Sequence, residues 1–300
     1  MGQGVAVISL DCEGLWGLTP SVRRYRDLIT NESLTWAYRS LLRALGKRGF
    51  PATFAFVSLF ASDPDSALHR ARQVMDDDDR RRWVEPGVSD LKSGRTSGWC
   101  LPETLAWVQA EGEHEVASHS ATHTPVLESK EPSRVMVREI EGVREWSKDN
   151  GVCVSTYVFP RNQVGDIQAL QGMLGYRSFS MSGSAAVRLL DEVNVTKRSE
   201  EMTSTSGDRP VAIPGGILMN WRCGLRRIIP PAITVRRWRS MLLDAERRGG
   251  VAHLWLHPHN LITGHRQLEL LESMLDILHA MVKQDRIRVM TQREYCVAVR

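Results

Sequence analysis

Near the start of the chain stands the run Val5-Ala6-Val7-Ile8-Ser9-Leu10-Asp11-Cys12-Glu13. Its first six residues are almost all apolar and several are β-branched, which is typical of a strand that is buried on both faces. Two carboxylates separated by a single cysteine follow directly. The run therefore predicts a buried strand that carries acidic side chains at its carboxyl end.

Short apolar runs of this kind alternate with longer amphipathic stretches along the chain. Strands are predicted at 5–10, 52–57, 115–118, 152–159, 176–180, 211–213, 252–256 and 287–290. Helices are predicted at 32–47, 66–75, 102–111, 133–149, 166–174, 235–248 and 267–283. Such alternation indicates parallel strands joined by crossover helices, so the sequence predicts an α/β fold.

Polar residues follow these predicted strands at the points where they end. Asp11 follows the first strand and His119 the third, while Arg161 and His257 follow the fourth and the seventh. In parallel α/β architectures the carboxyl ends of the strands form the face on which functional sites assemble. We therefore expect these side chains to meet at one end of the sheet.

The segment His119-Ser120-Ala121-Thr122-His123 carries two histidines four residues apart. On a helical turn such a pair lies on one face, so its nitrogens can converge on one cation, although two incidental histidines would give the same pattern. The glutamate that follows the first histidine in zinc proteases is absent, since Ser120 stands there. Asp11 and Glu13 offer carboxylates that can take the place of that glutamate. One can complete a metal triad and the other can take a proton from water, although a fragment of this kind also suits a helix cap or a loop.

Two further polar segments close predicted strands. His257 is placed to donate a proton, and Pro258 favours the end of the strand there, which leaves His259 and Asn260 for substrate contact. Alternatively, a histidine at such a position is a residue of the core or the surface. The other segment, Phe159-Pro160-Arg161-Asn162-Gln163, offers Arg161 and Asn162 for orienting a carboxylate or binding substrate.

Composition limits the class of protein. With 300 residues, 42% of them hydrophobic and 25% charged, the chain can bury a full core, and it contains no apolar run long enough to span a bilayer. Its first residues do not resemble a signal peptide, so a cytoplasmic location is expected. Its five cysteines form no C-x-x-C pair and are expected to be reduced.

The net charge of +4 is mild, and the arginines fall in local clusters rather than in one long stripe. These clusters suit a solvated surface or, alternatively, a phosphate-bearing small substrate. No motif for binding nucleic acid is recognised. Residues 1–300 are expected to form a single domain with an insertion or lid at about 63–101, where a run of acidic residues passes into arginines and then into a Gly/Ser-rich stretch.

Taken together in this order, the motifs resemble those of the polysaccharide deacetylase family, the carbohydrate esterases of family four. The run Ser9-Leu10-Asp11-Cys12-Glu13-Gly14 is similar to the family's opening Thr-Phe-Asp-Asp-Gly motif, and His119-Ser120-Ala121-Thr122-His123 matches its His-Ser/Thr-x-x-His motif. The resemblance implies a distorted (β/α) barrel with about seven strand–helix units. Cys12 is a departure that an Asp-x-Asp form of the motif accommodates.

The resemblance also implies roles for the site residues. Asp11 corresponds to the catalytic base and His257 to the general acid, while Glu13, His119 and His123 correspond to the ligands of a divalent metal. Zinc is the favoured ion, because two imidazoles and a carboxylate suit it. An exchange of roles between Asp11 and Glu13 stays open.

The middle motif departs from the family's Arg-Pro-Pro-x-Gly form. The variants Phe159-Pro160-Arg161-Asn162-Gln163 and His257-Pro258-His259-Asn260 resemble a subgroup associated with surface-glycan and sugar-modification gene sets. The activity implied is removal of an N-acetyl or other N-acyl group from a nucleotide-linked or lipid-linked amino sugar. The alternatives are a deformylase or amidohydrolase on another amide, and a sugar-binding relative without turnover.

Overall fold

The computed structural model describes residues 3–19, 21–179, 185–203 and 207–300, and for 185–188 it describes the backbone alone. In this part of the chain, parallel strands curl into a distorted barrel that is surrounded by helices. The architecture confirms the predicted α/β class and the distorted (β/α) barrel. Among the described helices, none combines the length and the apolar character needed to cross a bilayer.

The strands of the barrel follow one another in the chain order β1 (Gly4–Cys12), β2 (Thr53–Phe56), β3 (Glu115–Ser118), β4 (Thr156–Tyr157), β5 (Gly175–Arg177), β6 (Val211–Ile213), β7 (Ile217–Leu218), β8 (Val251–Leu256) and β9 (Ile287–Met290). Every predicted strand has a counterpart, although Ser180, the last residue of the prediction 176–180, lies outside the described residues. The prediction 152–159 was too long, since β4 spans only two residues. Strand β7 was missed because two residues are too few to show a periodicity.

The helices are α1 (Asn31–Gly46), α2 (Pro64–Arg72), α3 (Asp78–Lys92), α4 (Glu103–Ala110), α5 (Pro132–Asp149), α6 (Ala185–Val193), α7 (Pro231–Arg248), α8 (Asn260–Thr263), α9 (Gln267–Lys283) and α10 (Gln292–Ala298). The predicted helix at 166–174 is wrong, because only a 3-10 turn forms at Ile167–Leu170. Gly172, with a φ of +88°, breaks the pattern just beyond that turn.

The segment 63–101, predicted as an insertion or lid, contains α2 and α3. Helix α3 forms where the acidic run passes into arginines, because this order of charges suits a helix. Asp77 caps its first turn by accepting a hydrogen bond from the backbone N–H of Asp79, and acidic residues there complement the helix dipole. Apolar residues of α3, among them Val84 and Val88, belong to the main hydrophobic core.

The sheet runs in the order β6-β5-β4-β3-β2-β1-β8-β7, and every pairing between these strands is parallel. Strand β9 also pairs with β1, over the first residues of that strand. The two ends of the order, β6 and β7, are joined by only the three residues 214–216, so the chain connection itself brings the ends of the sheet together. This connection closes the curved sheet into a barrel.

Strand β1 pairs with three strands, β2, β8 and β9, and all nine of its residues are buried. Its even-numbered residues, such as Ile8 and Leu10, pack in the main core beneath the helices. Val5 and Val7 pack instead in a smaller cluster with Tyr295 and Cys296 of α10, which contacts the starts of the strands. Because side chains alternate along a strand, this arrangement points Ser9 and Asp11 into the barrel.

Candidate active site

A cavity of about 440 Å³ lies at the carboxyl ends of the barrel strands. Its lining includes Asp11, Glu13, His119, His123, Arg161, Asn162, Trp221, Trp255 and His257. The strand ends therefore bring together most of the residues that the sequence singled out. His259 and Asn260 do not line this cavity.

Glu13, His119 and His123 form a buried cluster whose candidate ligand atoms all lie within 4.8 Å of one another. Oε2 of Glu13 is 3.2 Å from Nε2 of His119 and 2.9 Å from Nε2 of His123. Burial alone would raise the pKa of Glu13, but the nearby His257, His123 and His119 hold it well below its usual range. The carboxylate is therefore ionised and its lone pairs converge with those of the imidazoles.

The donor set fits a divalent metal ion. Nδ1 of His119 lies 2.9 Å from the carbonyl oxygen of Val158, which accepts its proton and leaves Nε2 with a free lone pair. Such a hydrogen bond to the second imidazole nitrogen is typical of metal-binding histidines. Two imidazoles and one carboxylate match the ligands of catalytic zinc sites, which keep an open position for water or substrate.

The loop that carries the two histidines is not helical, so the predicted helical turn is wrong. Ser120 and His123 both have positive φ values, of 71° and 62°, and the imidazoles converge because the backbone folds back on itself. Oγ of Ser120 accepts the N–H of His123 at 2.8 Å and so holds the turn. From the outer side, the carboxylate of Glu139 on α5 accepts hydrogen bonds from both the backbone N–H and the hydroxyl of Thr122.

Asp11 is held by an arginine on β5, which lies across the barrel from β1. Nη1 and Nη2 of Arg177 donate to Oδ1 and Oδ2 of Asp11 at 2.7 and 2.6 Å, and Nη2 also donates to Oδ1 of Asn162 at 2.9 Å. Burial would raise the pKa of Asp11, but the Arg177 guanidinium and the nearby histidines hold it below its usual value. The paired carboxylate therefore stays charged in a buried position.

His257 lies directly after β8 and faces both carboxylates. Its Nε2 is 3.8 Å from Oδ2 of Asp11 and 3.7 Å from Oε1 of Glu13. Its Nδ1 lies 3.1 Å from Oδ1 of Asn260, which also accepts the backbone N–H of His257. Since an amide oxygen only accepts, Nδ1 carries a proton and Nε2 is the nitrogen that faces the cavity.

His259 and Asn260, predicted to contact substrate, are placed inside the protein, at 2% and 0% exposure. The ring of His259 stacks on that of His257, with the centroids 4.9 Å apart. Burial, and then the charge of His257, lower the pKa of His259 to about 3, so the ring is neutral. In this arrangement Asn260 orients the ring of His257 through a hydrogen bond, and His259 orients it through stacking.

Arg161 lies at the edge of the cavity and does not contact Asp11. Its Nη2 donates to the carbonyl oxygen of Thr19 at 2.6 Å, and its guanidinium lies over the ring of Trp83, 4.5 Å from the centroid. Trp83 belongs to α3, so the segment 63–101 reaches the cavity edge through this contact. Arg161 and Asn162 both have a φ of 54°, a left-handed turn that aims Asn162 at Arg177.

Sequence reasoning missed Arg177 as a site residue. The available signal was a charged residue inside the predicted strand 176–180, since an arginine that points into a barrel needs a buried anion. Cys12, although it stands between the two carboxylates, points away from the site into the main core. Burial raises the pKa of its thiol well above the usual value, so it stays protonated.

No model of a protein family matches the chain. No curated protein matches it either. Similarity appears among the solved structures.

One similar structure is that of a candidate polysaccharide deacetylase from Mycobacterium smegmatis, at 17% identity and a TM-score of 0.61, with 100% of this chain and 91% of that chain covered. Another is the esterase domain, of carbohydrate esterase family four, of a xylanase from the hindgut metagenome of Trinervitermes trinervoides, at 13% identity, a TM-score of 0.45 and coverages of 99% and 91%. The similarity to the first of these structures is one of fold. The chain therefore has the fold of the polysaccharide deacetylases.

Proposed function

We propose that this protein is a metal-dependent hydrolase that removes an N-acetyl or other N-acyl group from an amino sugar or a glycoconjugate precursor. The observation that supports the proposal is that two neighbouring carboxylates have different partners. Glu13 is shared by two imidazoles, whereas Asp11 is held by Arg177. Nε2 of His257 lies 3.8 Å from Oδ2 of Asp11 and 3.7 Å from Oε1 of Glu13.

In this proposal Glu13, His119 and His123 hold the metal, with zinc as the favoured ion. When bound, such an ion acts as a Lewis acid that polarises the acyl carbonyl and eases the deprotonation of water. The buried hydrogen bond from His119 to Val158 keeps one ligand oriented, and Glu139 keeps the loop that carries both histidines in place. Ligands fixed in this way lose little conformational freedom on binding.

Asp11 acts as the general base. Its two oxygens are oriented by the guanidinium of Arg177, and each keeps a second lone pair that can accept a proton from water. The resulting hydroxide adds to the carbonyl carbon of the acylamino group. The pairing with Arg177 keeps the carboxylate charged, so that it is ready to accept the proton at neutral pH.

His257 acts as the general acid. The bond between the acyl carbon and nitrogen breaks as His257, protonated at both ring nitrogens, gives its Nε2 proton to the departing nitrogen, and the products are a carboxylic acid and an amine. The proton that Asp11 takes from water then passes to Nε2 of His257, which lies 3.8 Å from Oδ2 of Asp11, and restores the donor. Asn260 fixes the ring by accepting the Nδ1 proton, which leaves Nε2 facing the two carboxylates. General acid catalysis of this kind typically contributes about 10²–10⁴-fold in rate.

A sugar-sized substrate suits the cavity. Its volume of about 440 Å³ lies within the range of small-molecule sites. The aromatic side chains of Tyr25, Trp221 and Trp255 in its lining offer flat apolar surfaces, and Arg161 and Asn162 offer polar contacts. This mixture of apolar faces and a few polar groups suits a sugar ring that carries hydroxyls.

The proposal is tested by loading the purified protein with zinc and measuring the amine released from a panel of N-acetylhexosamines, free and nucleotide-linked, and from their N-formyl analogues. We expect release from at least one member, its loss after chelation, and its recovery when zinc is added back. Asp11→Asn protein serves as the matched inactive control. Release from N-formyl analogues alone would assign the site to a deformylase. Turnover by Asp11→Asn at the wild-type rate would contradict the proposed mechanism.

A further inference from the structure

Three large apolar side chains stand exposed beside the active-site cavity. Within the part of the chain that the structure describes, the most exposed large apolar side chains are Leu225 at 80%, Ile228 at 74% and Leu190 at 68%. Leu225 and Ile228 lie on the 3-10 turn Gly224–Ile228, and Leu190 lies on α6. We call these three residues the apolar rim.

The two elements of the apolar rim are adjacent to each other and to the site. Arg226 of the turn makes a 2.6 Å ion pair with Glu192 of α6. A second cavity, of about 300 Å³, is lined by residues of both elements, and it shares Tyr25, Trp221 and Arg226 with the active-site cavity. The apolar rim therefore stands at the mouth of the proposed catalytic centre.

Arginines flank the apolar rim, and the two acidic residues beside Leu190 on α6, Asp191 and Glu192, are paired with basic side chains. Residues 21–28 and 221–229, which contribute to the shared lining, contain six arginines and a single acidic residue, Asp27. Arg26 pairs with Asp90. Arg23, Arg24 and Arg227 are exposed and make no ion pair with any described residue. The surface thus combines exposed aliphatic side chains with guanidinium groups that form no ion pair with any described residue.

A surface that is both apolar and positively charged favours one kind of partner. A symmetric contact between two copies would place the patch against itself and bring uncompensated arginines together, which is unfavourable. An anionic lipid bilayer matches both features, because its headgroups attract arginines and its acyl region accepts aliphatic side chains. We propose that the apolar rim docks the protein on an anionic lipid surface.

Docking of this kind would open the active-site cavity towards the bilayer. The substrate would then be an amphiphile whose acylamino sugar stands at the membrane surface, and this second step rests on the proposed function. Docking itself does not depend on the proposed function. The two can therefore be tested separately on the same protein.

The test is cosedimentation of the purified full chain with vesicles of phosphatidylcholine, alone or mixed with phosphatidylglycerol. We expect binding to the mixed vesicles at low salt, little binding to phosphatidylcholine alone, and weakening at 1 M salt, where charges are screened within about 3 Å. Leu225→Ser combined with Ile228→Ser should weaken binding by at least about tenfold. Each replacement among Arg23→Gln, Arg24→Gln and Arg227→Gln should weaken it by about fivefold.

Matched controls lie at the other end of the barrel. Val297 is 64% exposed on α10, which packs near the starts of the strands, and Arg43 is exposed on the last turn of α1, just before β2 begins. Val297→Ser and Arg43→Gln should leave vesicle binding unchanged. Melting temperatures of all variants show whether a loss of binding reflects unfolding.

Three results would overturn the docking proposal. They are wild-type protein that stays in the supernatant with every vesicle composition, binding that the rim variants leave unchanged, and a dimer that Leu225→Ser dissociates. Amine release from a soluble N-acetylhexosamine is scored separately. Release without vesicle binding would refute docking alone, and vesicle binding without release from soluble or lipid-linked substrates would refute the proposed function alone.

Discussion

Arg177 binds both carboxylate oxygens of Asp11, with N–O distances of 2.7 and 2.6 Å, inside the barrel, where both side chains are buried. Oγ of Ser9 accepts a further bond from the same guanidinium at 3.2 Å. The ion pair thus fixes the carboxylate that we propose as the base without using the residues proposed to bind metal. Removing either partner would leave the other as an unpaired buried charge.

Replacement of Arg177 should therefore impair catalysis while leaving the metal in place. We expect Arg177→Gln to lower kcat by about 10²-fold, because Asp11 loses its orientation. Arg177→Lys, which keeps one charged donor, should recover part of this loss. Steady-state kinetics and metal content after dialysis are the measurements, and near-normal kcat in a folded Arg177→Gln protein would contradict the role.

Asp11→Asn should abolish turnover without loss of the metal, because it removes the proposed base and no proposed ligand. The amide keeps the shape of the carboxylate and its oxygen can still accept a hydrogen bond from Arg177, so the variant should fold, with a lower melting temperature because the buried guanidinium loses its counter-charge. Zinc content is measured alongside amine release. Loss of zinc in this variant would mean that Asp11 and Glu13 have exchanged roles.

Removal of His257 should act on the chemical step. His257→Ala should lower kcat by about 10²–10⁴-fold, the usual scale for a lost proton donor. The sequence alone favours an effect of His259→Ala on KM. Because His259 is buried against the His257 ring and lies outside the cavity lining, we now expect this variant to lower kcat, and by less than His257→Ala does.

Asn260 provides a separate check on the same histidine. Asn260→Asp keeps an acceptor for the Nδ1 proton, whereas Asn260→Leu removes it, so the first should retain more activity than the second. Kinetic measurement of kcat and KM for both variants distinguishes positioning from substrate contact. An effect confined to KM would favour the substrate contact expected from the sequence.

His253 should make the protein sensitive to acid. Burial, and then the Arg177 guanidinium, lower the pKa of His253 to about 3, and the neutral ring lies between the carbonyl of Pro214 and the hydroxyl of Ser9. In the unfolded chain the pKa returns to about 6.5, so below that pH the unfolded state binds a proton that the folded state does not. Stability that is complete above pH 6.5 is therefore lost as the pH falls towards 3.

The size of this effect can be measured by urea unfolding at several pH values. The contribution of His253 approaches about 1.4 kcal/mol per pH unit once the pH is well below 6.5. His253→Gln should reduce the slope of unfolding free energy against pH by about that amount between pH 5.5 and 4.5. Equal slopes in the two proteins would show that His253 does not contribute in this way.

The sequence predicted the fold well where its signal is periodic and repeated. The buried run of β1 and the alternation of strands and helices identified the α/β class, because parallel strands need two apolar faces. The short strand β7 and the helices α3, α6, α8 and α10 were not predicted. Strand β7 has only two residues and α8 only four, and in α3 the apolar spacing of Val84, Val88 and Leu91 is interrupted by Pro86 and follows a run of charges.

The candidate site was predictable only in part. Residues that lie at strand ends converge because parallel strands share one edge, and this placed Asp11, His119 and His257 together. The partner of Asp11 could not be found in the same way, since Arg177 is separated from it by 166 positions and belongs to no motif. Nor did residue types reveal that Asn260 would face inward and bind His257, because burial depends on how α8 packs.

The metal site is the centre of this account, and titration of the metal-free protein with zinc tests it most directly. Calorimetry should show one zinc ion bound per wild-type chain. His119→Ala should bind it at least about 100-fold more weakly, because one of three protein ligands is lost. His69→Ala, at an exposed histidine on α2, serves as the matched control and should bind like the wild type. A His119→Ala protein that binds one zinc ion with wild-type affinity would contradict the account.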